Sequence, residues 1–143
     1  MTVAAILKEK GRQVVTAHPG ATLADICTLL ADKRIGAVVL TDKSGGVKGI
    51  VSERDVVRAI ARDGAAALAK PVSSVMTREV VSCAEGDTNA SLMAKMTGGK
   101  FRHLPVVKEG KLVGIVSIGD VVKRRIAEAE FEARAMRDYI ATG

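Results

Sequence analysis

Tryptophan is absent from this sequence, and its 143 residues include only one tyrosine and two phenylalanines. That shortage argues against a nucleic-acid surface of the stacking kind, in which aromatic rings carry successive bases. It also means that the core is built from Val, Ile, Leu, Ala and Met, the residues of buried sheets and tightly packed helices. Two cysteines, Cys27 and Cys83, make neither a disulfide framework nor a metal-ligand spacing. His18 and His103 have no cysteine or acid at ligand spacing, so no metal site is expected. No apolar run approaches the roughly 18 residues of a helical membrane span. The first residues, Met1-Thr2-Val3-Ala4-Ala5-Ile6-Leu7-Lys8, lack the basic start and cleavage site of a signal peptide, and a cytoplasmic location is expected.

What is present is ample apolar material, 48% of residues, in a length that fits one compact domain or two very small ones sharing a core. The formal net charge is +6, but the Lys and Arg residues are scattered among acidic ones. Such a field suits a small phosphate-bearing ligand, and for most of these residues ordinary solubilising charge is explanation enough.

The dominant signal is internal repetition. Residues 14–43, VVTAHPGATLADICTLLADKRIGAVVLTDK, overlay residues 80–109, VVSCAEGDTNASLMAKMTGGKFRHLPVVKE, at an offset of 66. After a one-residue deletion in the following turn, GIVSERDVV (Gly49 to Val57) overlays GIVSIGDVV (Gly114 to Val122), with seven of nine positions identical. Each copy starts from an apolar pair, Val14-Val15 or Val80-Val81, and a turn at Gly20 or Gly86. Thr22 and Thr88 are placed to cap a helix. In the first helix Leu23, Ile26, Cys27 and Leu30 form one stripe; the second keeps Leu92, Met93 and Met96 but has Asn89 in the place of Leu23. Two β runs follow with a Gly-bearing turn between them (Ala37 to Leu40 and Val47 to Ser52; Leu104 to Val107 and Leu112 to Ser117), then a helix opening at Ser-x-x-Asp.

The expected fold is therefore α/β (α+β): two β-α-β-β-α repeats packed about a pseudo-two-fold axis, with an N-terminal helix and an extended C-terminal helix. Residues 1–70 hold the first repeat with the N-terminal helix and linker, and residues 71–143 the second with its helical tail. Pro71 argues against one helix running through the linker. A unit of about 50 residues buries too little alone, so the copies should share their packing, and the junction creates two equivalent clefts where small molecules can bind.

Ser52-Glu53-Arg54-Asp55 and Ser117-Ile118-Gly119-Asp120 each end a strand and begin a helix, where unpaired N–H groups and the helix dipole favour an anion. The serine hydroxyl can join those donors on a phosphate, and the carboxylate one turn later can accept from the vicinal hydroxyls of a ribose. Charge-assisted bonds of this kind are worth roughly 1.5–3 kcal/mol each. The plainer alternative is that each serine is only an N-cap and each aspartate only a favourable first-turn charge.

The twice-written G-I-V-S-x-x-D-V-V, with R-H-L-P-V-V inside the second unit, resembles the CBS domain family, and the pairing resembles a Bateman module. The resemblance covers nearly the whole chain. It implies clefts that take AMP, ADP, ATP, NAD(H) or S-adenosylmethionine, with the Ser/Thr-x-x-Asp aspartate on the ribose. It also implies that each cleft joins this motif from one repeat to the first strand and helix-to-strand corner of the other. One would then combine Ser117 and Asp120 with Thr16, Ala17, Ile35, Gly36 and Ala37. The other would combine Ser52, Arg54 and Asp55 with Ser82, Cys83, Arg102, His103 and Pro105. Arg102, His103 and Arg54 give the second cleft more charge, so the two should not bind one ligand equally.

Nothing in the sequence forms a catalytic constellation. Gly98-Gly99-Lys100 is only a fragment of a phosphate loop, with no G-x-x-x-x-G-K-S/T pattern around it. The expected function is a regulatory, energy-sensing ligand-binding module rather than an enzyme. A small nucleotide-processing enzyme, for which only His103 comes near a base, and a weak nucleic-acid binder are the alternatives. From Asp120 to Thr142 there is neither Gly nor Pro, and Val122, Ile126, Ala129, Ala133, Met136 and Ile140 fall at heptad-like spacing. A homodimer contact is expected there, with the regulated protein partner left open; the alternative is a helix folding back on its own domain.

Overall fold

The structure, a computed structural model, describes residues 2–142. Helix α1 (Val3–Lys10) precedes the first repeat, which consists of β1 (Thr16–Ala17), α2 (Leu23–Lys33), β2 (Ala37–Thr41), β3 (Val47–Ser52) and α3 (Glu53–Asp63). Two 3-10 turns, Gly64–Ala69 and Val72–Ser74, make the linker, and Pro71 stands between them as the N-cap of the second. The second repeat holds α4 (Asn89–Gly99), β4 (His103–Lys108), β5 (Lys111–Ser117) and α5 (Ile118–Thr142). Among the described residues no helix is long and apolar enough to cross a membrane.

The caps form as their residue types require. Thr22 Oγ1 accepts from Asp25 N while the Asp25 carboxylate accepts from Thr22 N, a reciprocal capping box. Thr88 Oγ1 accepts from Ser91 N at the start of α4. Arg34 and Lys100, equivalent positions in the two copies, both close their helices in the left-handed region, with φ of 53° and 56°. Buried Leu23, Ile26 and Leu30 realise the α2 stripe. Asn89, in the place of Leu23, is also buried, and its Nδ2 donates to Val121 O at 3.3 Å, tying α4 to α5.

In the first repeat β1 runs parallel to β2, and β2 antiparallel to β3, with Ala37 opposite Ser52. In the second, β4 and β5 pair antiparallel with His103 opposite Ser117. The first strand expected near Val80-Val81 is reduced to one parallel bridge, Cys83 to Val106, held by Cys83 N to Pro105 O (2.9 Å) and Val107 N to Cys83 O (3.0 Å). In the first copy the pairing begins at Thr16, directly after the valine pair, whereas in the second it falls at Cys83, two residues after it.

Two cores form, and each borrows a segment from outside its own repeat. Val3, Ile6 and Leu7 of α1 pack into the second core with Leu92, Leu104 and Val116, not into the first repeat with which the sequence groups them. Val72 and Met76 of the linker pack into the first core with Leu23, Ile26 and Val51. The backbone bonds match in pairs. Val3 N reaches Asp87 O and Ala4 N reaches Glu85 O, both at 2.9 Å, while Val72 N reaches Ala21 O at 2.7 Å and Ser73 N reaches Pro19 O at 3.0 Å. This reciprocal crossing is how two units too small to close alone complete each other. Burying Val3, Ile6 and Leu7 is worth roughly 1.5–3 kcal/mol each, an upper figure because the unfolded chain already hides part of that surface.

Gly49 and Gly114, which open the repeated G-I-V-S, are where the crossing segments come closest. A Cβ on Gly49 would stand 2.5 Å from Met76 Sδ and 3.0 Å from Thr77 O, and one on Gly114 would stand 2.8 Å from a Leu7 methyl. The same strand position in both copies is bare so that the borrowed side chain can lie on it.

Candidate functional site

Ser52 and Ser117 end β3 and β5 and begin α3 and α5. Asp55 N donates to Ser52 Oγ (3.3 Å), and Asp55 Oδ2 accepts from Ser52 N (2.8 Å) and lies 3.0 Å from Ser52 Oγ. The second copy repeats this, with Asp120 N to Ser117 Oγ at 3.2 Å, Ser117 N to Asp120 Oδ2 at 2.9 Å and Ser117 Oγ at 3.0 Å from Oδ2. The capping role is thus realised at both sites, and it engages Oδ2 of each carboxylate.

The two carboxylates differ in their surroundings. Lys10 at the end of α1 donates to Asp120 Oδ2 at 2.7 Å and to Ile115 O at 3.1 Å. Burial alone would raise the Asp120 pKa, but the Lys10 bond and charge and the Ser117 N–H outweigh it and hold the carboxyl below its ordinary value. Asp120 lines a groove with Ile6, Glu9, Lys10, Lys123 and Arg124, whose volume is only about 120 Å³. None of Thr16, Ala17, Ile35, Gly36 or Ala37 lines it.

A larger concavity, about 300 Å³ and so at the small end of ligand pockets, opens where the start of α3 faces the α4–β4 corner. It is lined by Arg54, Thr97, Lys100, Phe101, Arg102 and Ile118 among others. The structure therefore brings Arg54 and Arg102, from different repeats, to one opening, and adds Lys100. In the sequence Lys100 belongs only to a fragment of a phosphate loop; the signal that marks it is its place at the helix end, directly before Phe101-Arg102.

His103 is half-buried between the repeats. A Cβ on Gly36 would stand 3.1 Å from His103 Cε1, so these two residues, assigned to different clefts by the resemblance, meet across the pseudo-axis. Burial lowers the His103 pKa, opposed by the charges of Glu53 and Asp120 and assisted by those of Lys10 and Arg102. The imidazole does not line the Arg54–Arg102 concavity.

The remaining residues sit on the strands beside the junction. Thr16 is exposed and Ala17 half-buried on β1; Ile35 is half-buried after the α2 cap, and Ala37 is buried at the start of β2. Ser82 is half-buried and its carbonyl accepts from Lys95 Nζ at 3.2 Å. Pro105 is buried in β4. Cys83 packs its side chain into the second core, and desolvation pushes the thiol up to about 11. Its sulfur is turned inward, and its N–H and C=O are engaged with β4. His18 Nδ1 accepts from Gly20 N at 2.9 Å and closes a local turn.

The family model for the CBS domain matches this chain twice, at residues 6–62 and 72–127. Among solved structures, a CBS-domain containing protein from Agrobacterium tumefaciens is 50% identical with a TM-score of 0.85, the match covering 87% of this chain and 99% of that one. A CBS domain protein from Pyrobaculum aerophilum complexed with AMP is 30% identical with a TM-score of 0.75, over 84% and 89% of the two chains. A CBS domain pair in complex with 5′-methylthioadenosine and S-adenosyl-L-methionine is 25% identical with a TM-score of 0.77, over 86% and 98%. Of the curated relatives, a CBS domain-containing protein of Arabidopsis thaliana is 33% identical over 82% of this chain, which spans only 22% of that protein's length.

Proposed function

Since this chain belongs to the CBS domain family and carries the domain twice, we propose that it is a regulatory module that binds a phosphate-bearing adenosine ligand between its repeats and does no chemistry on it. The observation that carries this reading is the meeting of Arg54 from the first repeat with Lys100 and Arg102 from the second at one opening. Three cations at one opening favour an anion, and the positive end of the α3 dipole adjoins them. Asp55, one residue from Arg54, has no lysine on its carboxylate and can accept from ribose hydroxyls. The ligands of the two similar structures share adenosine, and AMP adds the phosphate that these cations would recognise.

AMP, ADP, ATP and NAD(H) all satisfy that chemistry. A ligand bridging both repeats favours one relative orientation of them, and shifts the equilibrium by its differential affinity for the two states. In a homodimer that shift becomes a change of dimer geometry, which a regulated partner can read; this is how the module would report the energy state of its surroundings.

Calorimetric titration of the ligand-free protein with AMP, ATP, NADH and S-adenosylmethionine tests the reading. A saturable event with the nucleotides, lost in Asp55→Asn and retained in Asp120→Asn, is the expected result. If none of the four binds the wild-type protein, the Ser-x-x-Asp motifs are caps alone and the proposal fails.

A further inference from the structure

Helix α5 outruns the body it starts from. Val121 is buried, but every residue from Ala129 to Thr142 is exposed. A helix meant only for water has no use for Ile126, Met136 and Ile140, which are 54%, 59% and 69% exposed. Val122, Ile126, Ala129, Ala133, Met136 and Ile140 follow one another at spacings of 4, 3, 4, 3 and 4 along this unbroken helix. They form one apolar seam about 27 Å long.

The flanks of that seam say what covers it. Lys123, Glu130 and Arg137 border it on one side, and Arg125, Glu132 and Tyr139 on the other. When two such helices lie parallel and in register, each residue of the second flank meets the residue five positions further along in the first flank of the other helix. Arg125 then faces Glu130, and Glu132 faces Arg137, each pair occurring twice by symmetry. Laid antiparallel with the whole seam in contact, the same helices would set Glu130 against Glu130, Glu132 against Glu132 and Lys123 against Arg137. The charge pattern is complementary to itself in one direction only. Within one helix Glu132 and Arg137 cannot meet, since five residues separate them by more than a turn.

We propose that α5 pairs with α5 of a second copy of this chain as a parallel, in-register two-stranded coiled coil, joined through this seam and through Arg125–Glu130 and Glu132–Arg137 contacts between the helices. The proposal specifies the dimer of the preceding section and stands independently of the ligand. Two and a half heptads make a modest interface, so the association is concentration-dependent. Parallel pairing places both bodies at the same end of the coil.

Sedimentation equilibrium of the full chain tests it, with thermal melts to verify folding, which these exposed positions should not alter. The wild type is expected to dimerise. Glu132→Arg and Arg137→Glu should each raise the dissociation constant about tenfold, and the double reversal should restore it. Phe131→Ser, on the side of the helix away from the seam, should leave it unchanged. Ile140→Cys in a Cys27→Ser background should form an interchain disulfide. A monomeric wild type, a dimer indifferent to the single reversals, a double reversal that does not restore, or Ile140→Cys that fails to cross-link would each overturn the proposal. None of these outcomes depends on whether a nucleotide binds.

Discussion

Lys10 Nζ stands 2.7 Å from Asp120 Oδ2, across 110 residues of sequence. In the matched crossing segment, where Met76 plays the part of Leu7, Thr77 N donates at 2.9 Å to Ile50 O, the counterpart of the Ile115 carbonyl that Lys10 reaches. One of the two duplicated carboxylates therefore carries a lysine, and among the described residues the other forms no ion pair. A ligand ribose arriving at Asp120 must displace or share that ammonium, whereas one arriving at Asp55 need not.

Lys10→Met should open the Asp120 cleft. The expected outcome is a second, weaker AMP event in calorimetry, or a strengthening of an existing one by up to about tenfold, the worth of one charge-assisted bond. Binding at the Asp55 cleft should not move. A weakening at Asp120 would mean that Lys10 turns to the ligand phosphate instead.

The same ion pair sets an acid limit on stability. The folded Asp120 pKa lies below its unfolded value, so its contribution is present above the unfolded value and is lost as the pH falls through the folded one. Urea unfolding of wild type and Asp120→Asn should differ at neutral pH. The gap should begin to close near pH ~3.9, the ordinary carboxylate value, and vanish below it.

Arg102→Ala and Lys100→Ala test what the concavity beside α3 recognises. Each should weaken AMP and ATP binding several-fold, ATP more than AMP, because a charge-assisted bond to phosphate is lost. Adenosine binding should be unchanged. An equal loss for adenosine would show that these side chains shape the opening rather than hold a phosphate.

Gly49→Ala should destabilise the fold by about 1–3 kcal/mol, since the new methyl meets both Met76 and the Thr77 carbonyl. Gly114→Ala should cost less, because what it meets are terminal methyls of Leu7, which can rotate away. Denaturant midpoints of the two variants give the order directly.

Periodicity and repetition made most of this fold legible. The α2 stripe, the capping threonines, the two hairpins and the helices opening at Ser52 and Ser117 all follow from local spacing. The seat of α1 was not legible: an apolar face at Val3, Ile6 and Leu7 says that the helix is buried, but not against which copy. Lys10 was missed for the same reason, as no local pattern links it to Asp120. Val57 and Val122 show the limit of the helical pattern itself, being 65% and 43% exposed beside buried Val56 and Val121. Spacing reveals an apolar strip but not whether its outer edge meets the chain's own core or another molecule. The resemblance implies Cys83 in a cleft, whereas its side chain turns into the core. Gly36 and His103 meet because two corners converge on the pseudo-axis, a relation that exists only in three dimensions.

The reciprocal crossing also sets an order of events during synthesis. Helix α1 leaves the ribosome before either repeat, yet its seat includes Gly114 and Val116, so its apolar face has nowhere to go until about a hundred further residues have been made. At ~5–20 residues per second that wait is on the order of ten seconds. Over that interval Val3, Ile6 and Leu7 are the nascent chain's exposed adhesive, and a chaperone that holds short apolar segments would find its client there.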